Sequence, residues 1–256
     1  MILTIAAKEL KALFASSLAW VILTVMQVVF GYNFLRRIDD YLQLQPRLVQ
    51  MANPPGVTEL VVAPTFGTAA VVLLFAVPLL AMRLIAEERR NRTMVFLTSA
   101  PVSMADIVLG KFLGLMAFLV AVIALVVLMP FSLAGSTSLD YGLLASLTAG
   151  IVLLAACFAA VSLYLSCLTT SPVIAAMGSF SVLLAMLLAG ETMSDSLRAR
   201  GWELPAALMQ VFTPIRNFEP LGQGLIDTYA IACSLLLIVA FVVMAIRRLD
   251  ALRLRG

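Results

Sequence analysis

The chain of 256 residues contains no histidine. That absence excludes histidine general bases, histidine metal ligands and Ser-His or Cys-His nucleophile pairs. The three cysteines are spaced neither as a metal site nor as a redox pair, so we interpret them as small buried hydrophobic residues. The sequence also lacks a G-x-x-x-x-G-K-[ST] phosphate-binding loop, so the chain does not hydrolyse ATP by that route. We expect no catalytic residue, no metal site and no cofactor in the chain itself.

Charged residues are scarce as well. Asp, Glu, Lys and Arg make up 12% of the chain, whereas apolar residues make up 62%. A soluble domain has about 25% charged and about 45–50% apolar residues. Because a soluble fold of this size cannot bury that much apolar surface, the composition predicts an integral membrane protein in a lipid bilayer. The net charge of +3 indicates no nucleic-acid partner.

Runs without any charge set the number of membrane spans. A bilayer core about 30 Å thick needs roughly 20 apolar residues in a helix. Four runs fit one span each, whereas the run 141–190 is long enough for two spans and must turn back near residues 167–172. The apolar runs do not alternate with polar residues as barrel strands do, so the predicted class is all-α with six spans. These spans are Leu18–Leu35, Pro64–Met82, Val108–Phe131, Leu143–Leu165, Val173–Leu188 and Tyr229–Ile246.

The distribution of basic residues predicts the orientation. Six spans put both termini on one side, and that side carries eleven of the 17 Lys and Arg residues against six on the other. The positive-inside rule then predicts cytoplasmic termini in a multi-pass protein of an inner (cytoplasmic) membrane. No charged residue lies in the middle of a span, which argues against ion-coupled carriers and voltage sensors. We expect a single transmembrane domain over residues 1–256.

Three segments outside the spans have a character of their own. Residues 1–16 fit an amphipathic interfacial helix, or alternatively a plain positive flank of the first span. Residues 83–107 fit a structured, charged hairpin that docks a soluble partner, or alternatively a solvated loop. Within this stretch, Ser103 lies three residues before Asp106, and this spacing predicts a helix N-cap. Residues 191–228 fit short helices that dip into the outer interface, or a loosely folded loop.

The stretch 83–114 resembles the membrane subunits of ABC-2 type ABC transporters. In that family a cytoplasmic hairpin reads E-E-x-x-x-G-T-x-E-x-L-x-x-x-P-[VI]-S and leads into I-x-x-G-K-[FY]. Arg92 and Val95 stand where the family has a glycine and an acidic residue. The matching residues are Glu87, Glu88, Thr93, Leu97, Pro101, Val102, Ser103, Ile107, Gly110, Lys111 and Phe112.

The two ends of the chain are similar to the same family. Lys8, Glu9 and Leu10 match its K-E-L entry helix. Phe218 and the run Gly224 to Thr228 are similar to the F-x-x-F-x-x-G-[VI]-[IL]-D that precedes the last span. The combined pattern is closest to the gliding-motility-type and Nos-type branches.

The resemblance implies a permease subunit, with export as the expected direction. Two copies, or this chain and a related permease, form a dimer, and each copy binds a cytoplasmic ABC ATPase subunit that holds ATP and Mg²⁺. The alternatives are a membrane scaffold that uses ATPase work mechanically, and a secondary carrier. The implied ATPase-coupling residues are Glu87, Glu88, Arg89, Arg90, Thr93 and Pro101. The implied interfacial-helix residues are Lys8, Glu9 and Leu10, and those of the outer re-entrant segment are Pro214, Phe218, Gly224 and Asp227.

Overall fold

The computed structural model describes residues 1–48, 50, 55–91, 103–133, 135, 137, 139–202, 209 and 211–253, with the backbone alone for 191–199. Every regular element among these residues is a helix, which confirms the all-α class. Within these described ranges, six helices are long and apolar enough to cross a membrane, as predicted. We number them spans 1 to 6: Ser17–Leu48, Thr58–Arg90, Met104–Phe131, Tyr141–Leu168, Pro172–Gly190 and Thr228–Arg253. The helix of span 5 itself continues to Ala199. Two further helices are the N-terminal helix Ile2–Ala15 and the outer helix Pro214–Gly222.

Spans 1 and 2 are longer than the charge-free runs that predicted them. Span 1 continues past Leu35 to Leu48, with Pro46 inside its last turns. Span 2 runs from Thr58 to Arg90, so residues 83–90 of the predicted hairpin continue its helix. The charges that follow the apolar runs favour water over lipid but are compatible with a helix, and they therefore mark the bilayer edge rather than the helix end.

Span 4 lies at the centre of the helix bundle. It packs against spans 2, 3, 5 and 6 and against the outer helix. Of its most apolar 18-residue stretch, 72% is buried. Asp140 caps its start by accepting hydrogen bonds from the backbone N–H groups of Gly142 and Leu143. Small side chains such as Ala155 and Ala159 are fully buried along it, which allows neighbouring helices to approach closely. The three cysteines are free and buried, as the sequence predicts.

The outer helix lies across the start of span 4. A Cβ atom at Gly150 would come within 2.9 Å of Phe218, so only glycine permits this approach. The Ser146 hydroxyl donates to the Leu221 carbonyl at 2.9 Å. Gly224, with a φ of +80°, supplies the left-handed turn that leads from the outer helix to span 6. The outer segment therefore ends in a packed helix, at least over the described residues 211–228.

The N-terminal helix packs tightly on the first turns of span 3. A Cβ atom at Gly110 would come within 2.7 Å of the Ile5 side chain and 3.0 Å of the Ile2 carbonyl oxygen. One helical turn later, a Cβ atom at Gly114 would meet the Glu9 Cβ at 2.7 Å. Gly110 and Gly114 thus form a G-x-x-x-G pair that lets two helix backbones approach closely.

We expect Gly110→Ala to destabilise the protein by about 1–3 kcal/mol, because the added methyl group displaces the N-terminal helix from span 3. Gly67→Ala in span 2 is the matched control, since a Cβ there has no neighbour within 4 Å. Alanine is the better helix former, so the control should gain up to about 1 kcal/mol. Denaturant unfolding in detergent measures both changes, and equal gains in the two variants would contradict the close packing.

Candidate functional site

A buried ion cluster lies where the N-terminal helix meets span 3 and the end of span 2. The Nζ atom of Lys111 lies 2.8 Å from the Glu9 Oε1 atom and 2.9 Å from the Glu88 Oε1 atom. The Lys111 side chain is only 1% exposed, and that of Glu88 is 17% exposed. We call these three residues the ion triad. A charge buried to this degree requires such partners, because an unpaired ammonium group would lose its hydration without compensation.

The glycine pair of span 3 positions two members of the triad. Lys111 directly follows Gly110, and the Glu9 side chain packs directly over Gly114, where no Cβ atom is in the way. Because the two backbones are so close, the long Lys111 side chain has no path to water and its ammonium group reaches the Glu9 carboxylate instead. Lys8, one residue earlier, is 62% exposed, and its Nζ atom lies 3.9 Å from Glu88.

A π-helical turn positions the third member. Residues Arg83–Glu87 form a π-helix directly before Glu88. The turn leaves the Ala86 backbone N–H free to donate to the Ser166 hydroxyl of span 4, at 3.0 Å. A π-helical turn holds an additional residue compared with an α-helical one, so it rotates the side chains that follow around the helix axis. Glu88 consequently faces inward to Lys111 instead of outward to solvent.

The predicted coupling residues divide into two groups. Glu88 is bound within the triad, and the Arg89 guanidinium donates to the Cys167 carbonyl of span 4 at 2.8 Å. Glu87 is 42% exposed and forms an i,i+4 pair with Arg83 at 3.6 Å, while Arg90 is exposed. Thr93 and Pro101 lie outside the described residues. Their role in coupling, like that of the whole group, stays a prediction.

The segment 83–107 is described only at its two ends. Ser103 accepts a hydrogen bond from the Asp106 backbone N–H at 3.0 Å, which confirms the predicted N-cap of span 3. Glu88 lies shortly before the segment 92–102, and Lys111 lies shortly after it. Their ion pair therefore ties together the two helices that enter and leave that segment, and Glu9 ties both to the N-terminal helix.

The remaining predicted site residues are distributed between the two ends of the bundle. Leu10 of the N-terminal helix is partly buried and packs against the main hydrophobic core. Pro214 and Phe218 belong to the outer helix, at the start of span 4, whereas Ser166 and the triad lie at its far end. The partly buried Asp227 caps span 6 by accepting from the Tyr229 backbone N–H at 2.9 Å. The fold does not bring the outer residues and the triad together.

No group of three or more metal-ligating carboxylates or thiols occurs among the described residues. Sequence patterns identify Glu9, Glu88 and Lys111 singly but not their contact with one another. One signal for the contact is present in the sequence: Lys111 lies between two glycines at helical spacing, at the start of a long apolar helix.

Replacing Lys111 with methionine should destabilise the protein by about 3–5 kcal/mol, because Glu9 and Glu88 then face each other without their shared cation. The triple variant Lys111→Met, Glu9→Gln, Glu88→Gln should recover most of this loss, since it removes the buried charges together. Lys8→Met should change the free energy of unfolding by no more than about 0.5 kcal/mol. Denaturant unfolding in detergent compares the three, and a triple variant no more stable than Lys111→Met would contradict the shared-cation geometry.

One family match accounts for this architecture. The sequence model described as ABC-2 family transporter protein matches residues 3–252. The match includes the N-terminal helix, nearly all of the six spans and the complete triad. No curated protein matches the chain. Because the family model covers almost the whole length, the chain belongs to the ABC-2 family of transporter membrane proteins.

Proposed function

We propose that the chain is the permease subunit of an ABC exporter, driven by a separate cytoplasmic ATPase. The observation that carries this proposal is the ion triad, which joins three stretches that resemble ABC-2 motifs: the K-E of the N-terminal helix, the E-E at the end of span 2 and the G-K of span 3. From the resemblance, we expect the ATPase to act on the segment between the end of span 2 and the start of span 3. A buried ion cluster at the base of that segment is suited to pass on a displacement.

The structure offers a continuous route from the base of the segment to span 1. The triad connects Glu88 and Lys111 to the N-terminal helix, which precedes span 1 with only Ser16 between them. The Arg83 guanidinium donates to the Ser16 hydroxyl at 2.7 Å, so the same turn of span 2 also holds this junction. A motion of the segment can therefore bias the arrangement of spans 1, 2 and 3, provided that the two states differ in these contacts.

We propose that the ATPase contact itself is made by the outward-facing residues Glu87 and Arg90, together with Thr93 and Pro101. Glu88 and Arg89 hold the contact in place from inside. Two ATPase copies, which bind ATP and Mg²⁺, would serve two permeases. The second permease is a copy of this chain or a relative. Spans 1 and 5 are the candidates to face it, because only 22% and 28% of their most apolar 18-residue stretches are buried.

The proposed setting is an inner membrane with both termini cytoplasmic, supported by the excess of basic residues on the terminal side. The motif pattern supports the gliding-motility-type or Nos-type branch. A scaffold that uses ATPase work mechanically would need the same triad, so it is the alternative that the geometry favours next. Among the described residues the buried charged side chains are Glu9 and Lys111, both at one end of the bundle, which gives an ion-coupled carrier little support.

Purification of the tagged chain from its native membrane in mild detergent tests the proposal. We expect a soluble protein with a phosphate-binding loop to co-purify at close to one copy per permease. Stimulation of its ATPase activity by a transported compound would distinguish an exporter from a scaffold. Repeated recovery of an intact dimer without any ATPase would overturn the proposal in favour of a secondary carrier or a scaffold.

Reversing the charge of Glu87 should weaken that co-purification. Glu87→Lys places a cation at the exposed end of span 2 and replaces the exposed pair with Arg83, which should change the free energy of unfolding by less than about 1 kcal/mol. We expect ATPase recovery to fall about 5–30-fold, well beyond this small change in stability. Glu59→Lys is the matched control, because Glu59 is an exposed glutamate at the opposite end of the same span. Quantitative mass spectrometry of the purified complexes measures both. An equal loss in the two variants would show that the effect is not specific to the contact.

A further inference from the structure

Two arginines, Arg89 and Arg248, lie near the end of span 4, and none of the ion pairs among the described residues includes either of them. Arg89 of span 2 and Arg248 of span 6 both lie within electrostatic reach of the Cys167 side chain. The Lys111 ammonium also lies within that reach, but Glu9 and Glu88 already balance its charge within the triad. We infer that this corner, the basic corner, binds the phosphate of an anionic phospholipid headgroup. The inference goes beyond the proposed function and needs only that spans 2, 4 and 6 end at a membrane surface.

Arg248 provides the first argument. Its Nε atom is buried and has no hydrogen-bond partner. None of the ion pairs among the described residues includes Arg248. A buried guanidinium donor without an acceptor is costly, and native structures usually satisfy it with a carboxylate, a phosphate or water. The terminal nitrogens are not among the buried unpaired atoms, so the guanidinium extends from the helix packing towards the surface.

Arg89 provides the second argument. One of its Nη atoms donates to the Cys167 carbonyl at 2.8 Å, which fixes the guanidinium at the carboxyl end of span 4. The helix dipole favours one cation there, but the second cation at the corner needs an anion of its own. Within the described part of the chain, no carboxylate lies within ion-pair distance of Arg89. Two guanidinium groups near the same helix end together offer several N–H donors, which suits the several acceptor oxygens of a phosphate group.

The surroundings favour a lipid over a free phosphate ion. Met244, one helical turn before Arg248 on the same face of span 6, is 39% exposed. Leu168, directly after Cys167, is 41% exposed. An acyl chain can lie along such an apolar surface while its headgroup meets the arginines. Basic pockets between transmembrane helices bind anionic headgroups in this way. The turn at residues 169–171 adds hydroxyl groups next to the corner.

Thermal unfolding of the purified chain in neutral detergent tests the inference, with three additions at equal ionic strength: phosphatidylglycerol, phosphatidylcholine and inorganic phosphate. We expect phosphatidylglycerol alone to raise the Tm. Arg248→Met should weaken this response about fivefold in lipid concentration, because one basic side chain is lost. Arg247→Met is the matched control, since Arg247 is the neighbouring but exposed arginine, and its response should stay close to that of the parent chain.

The variants also report on folding. Without lipid, Arg248→Met should be at least as stable as the parent chain, because it removes an unpaired buried donor while its side chain keeps the packing. Arg248→Lys retains the charge and should keep part of the lipid response. Three results would overturn the inference: an equal response to phosphatidylcholine, a full response to inorganic phosphate alone, or equal losses in Arg247→Met and Arg248→Met. If Arg248→Met loses the ATPase but keeps the lipid response, the corner is a protein contact and the inference is also wrong.

Discussion

The arrangement of this end of the bundle depends on the burial of one ammonium group, that of Lys111. A lysine that is 1% exposed needs anionic partners from its own chain, and they come from two other elements, Glu9 and Glu88. Each of these two carboxylates reaches Lys111 through a local backbone feature that is unusual in an α-helix. The Gly110 and Gly114 pair brings the N-terminal helix close enough for Glu9, and the π-helical turn Arg83–Glu87 rotates Glu88 inward. These features are consequences of a single electrostatic requirement.

The value of such a triad lies in geometry more than in stability. Apolar side chains of similar volume often hold helices together as well as a buried ion pair does. An ion triad differs because its hydrogen-bonding geometry defines one arrangement of three elements, and a small displacement loses much of its energy. Three helices held in this way move as a unit or separate abruptly. That behaviour suits a part that passes on motion between discrete states.

Local patterns predict the membrane architecture but not the tertiary pairing. Charge-free runs define the six spans, and Ser103 with Asp106 defines the N-cap of span 3, because both depend on neighbours in the sequence. The same runs miss the continuation of span 1 to Leu48, since they record where lipid ends and not where the helix ends. The inward turn of Glu88 is also missed. It depends on the Ser166 hydroxyl, which accepts the N–H of Ala86 from 80 residues further along the chain, and no local signal carries that information.

The end of span 2 is held both by span 4 and by the triad, and the energies of these contacts can be compared. The hydrogen bond between the Ala86 N–H and the Ser166 hydroxyl joins neutral groups and contributes about 1 kcal/mol. Breaking one arm of the triad leaves a buried charge with fewer partners and costs about 3–5 kcal/mol. The Arg89 guanidinium adds a charge-assisted bond to the Cys167 carbonyl of about 1.5–3 kcal/mol, so the two hydrogen bonds from span 2 to span 4 together approach one arm of the triad in energy. The triad therefore holds the N-terminal helix and the adjoining ends of spans 2 and 3 together as one unit, and the Ala86 and Arg89 contacts hold that unit to the end of span 4. A displacement passed on through span 2 acts on span 4 as well as on the N-terminal helix.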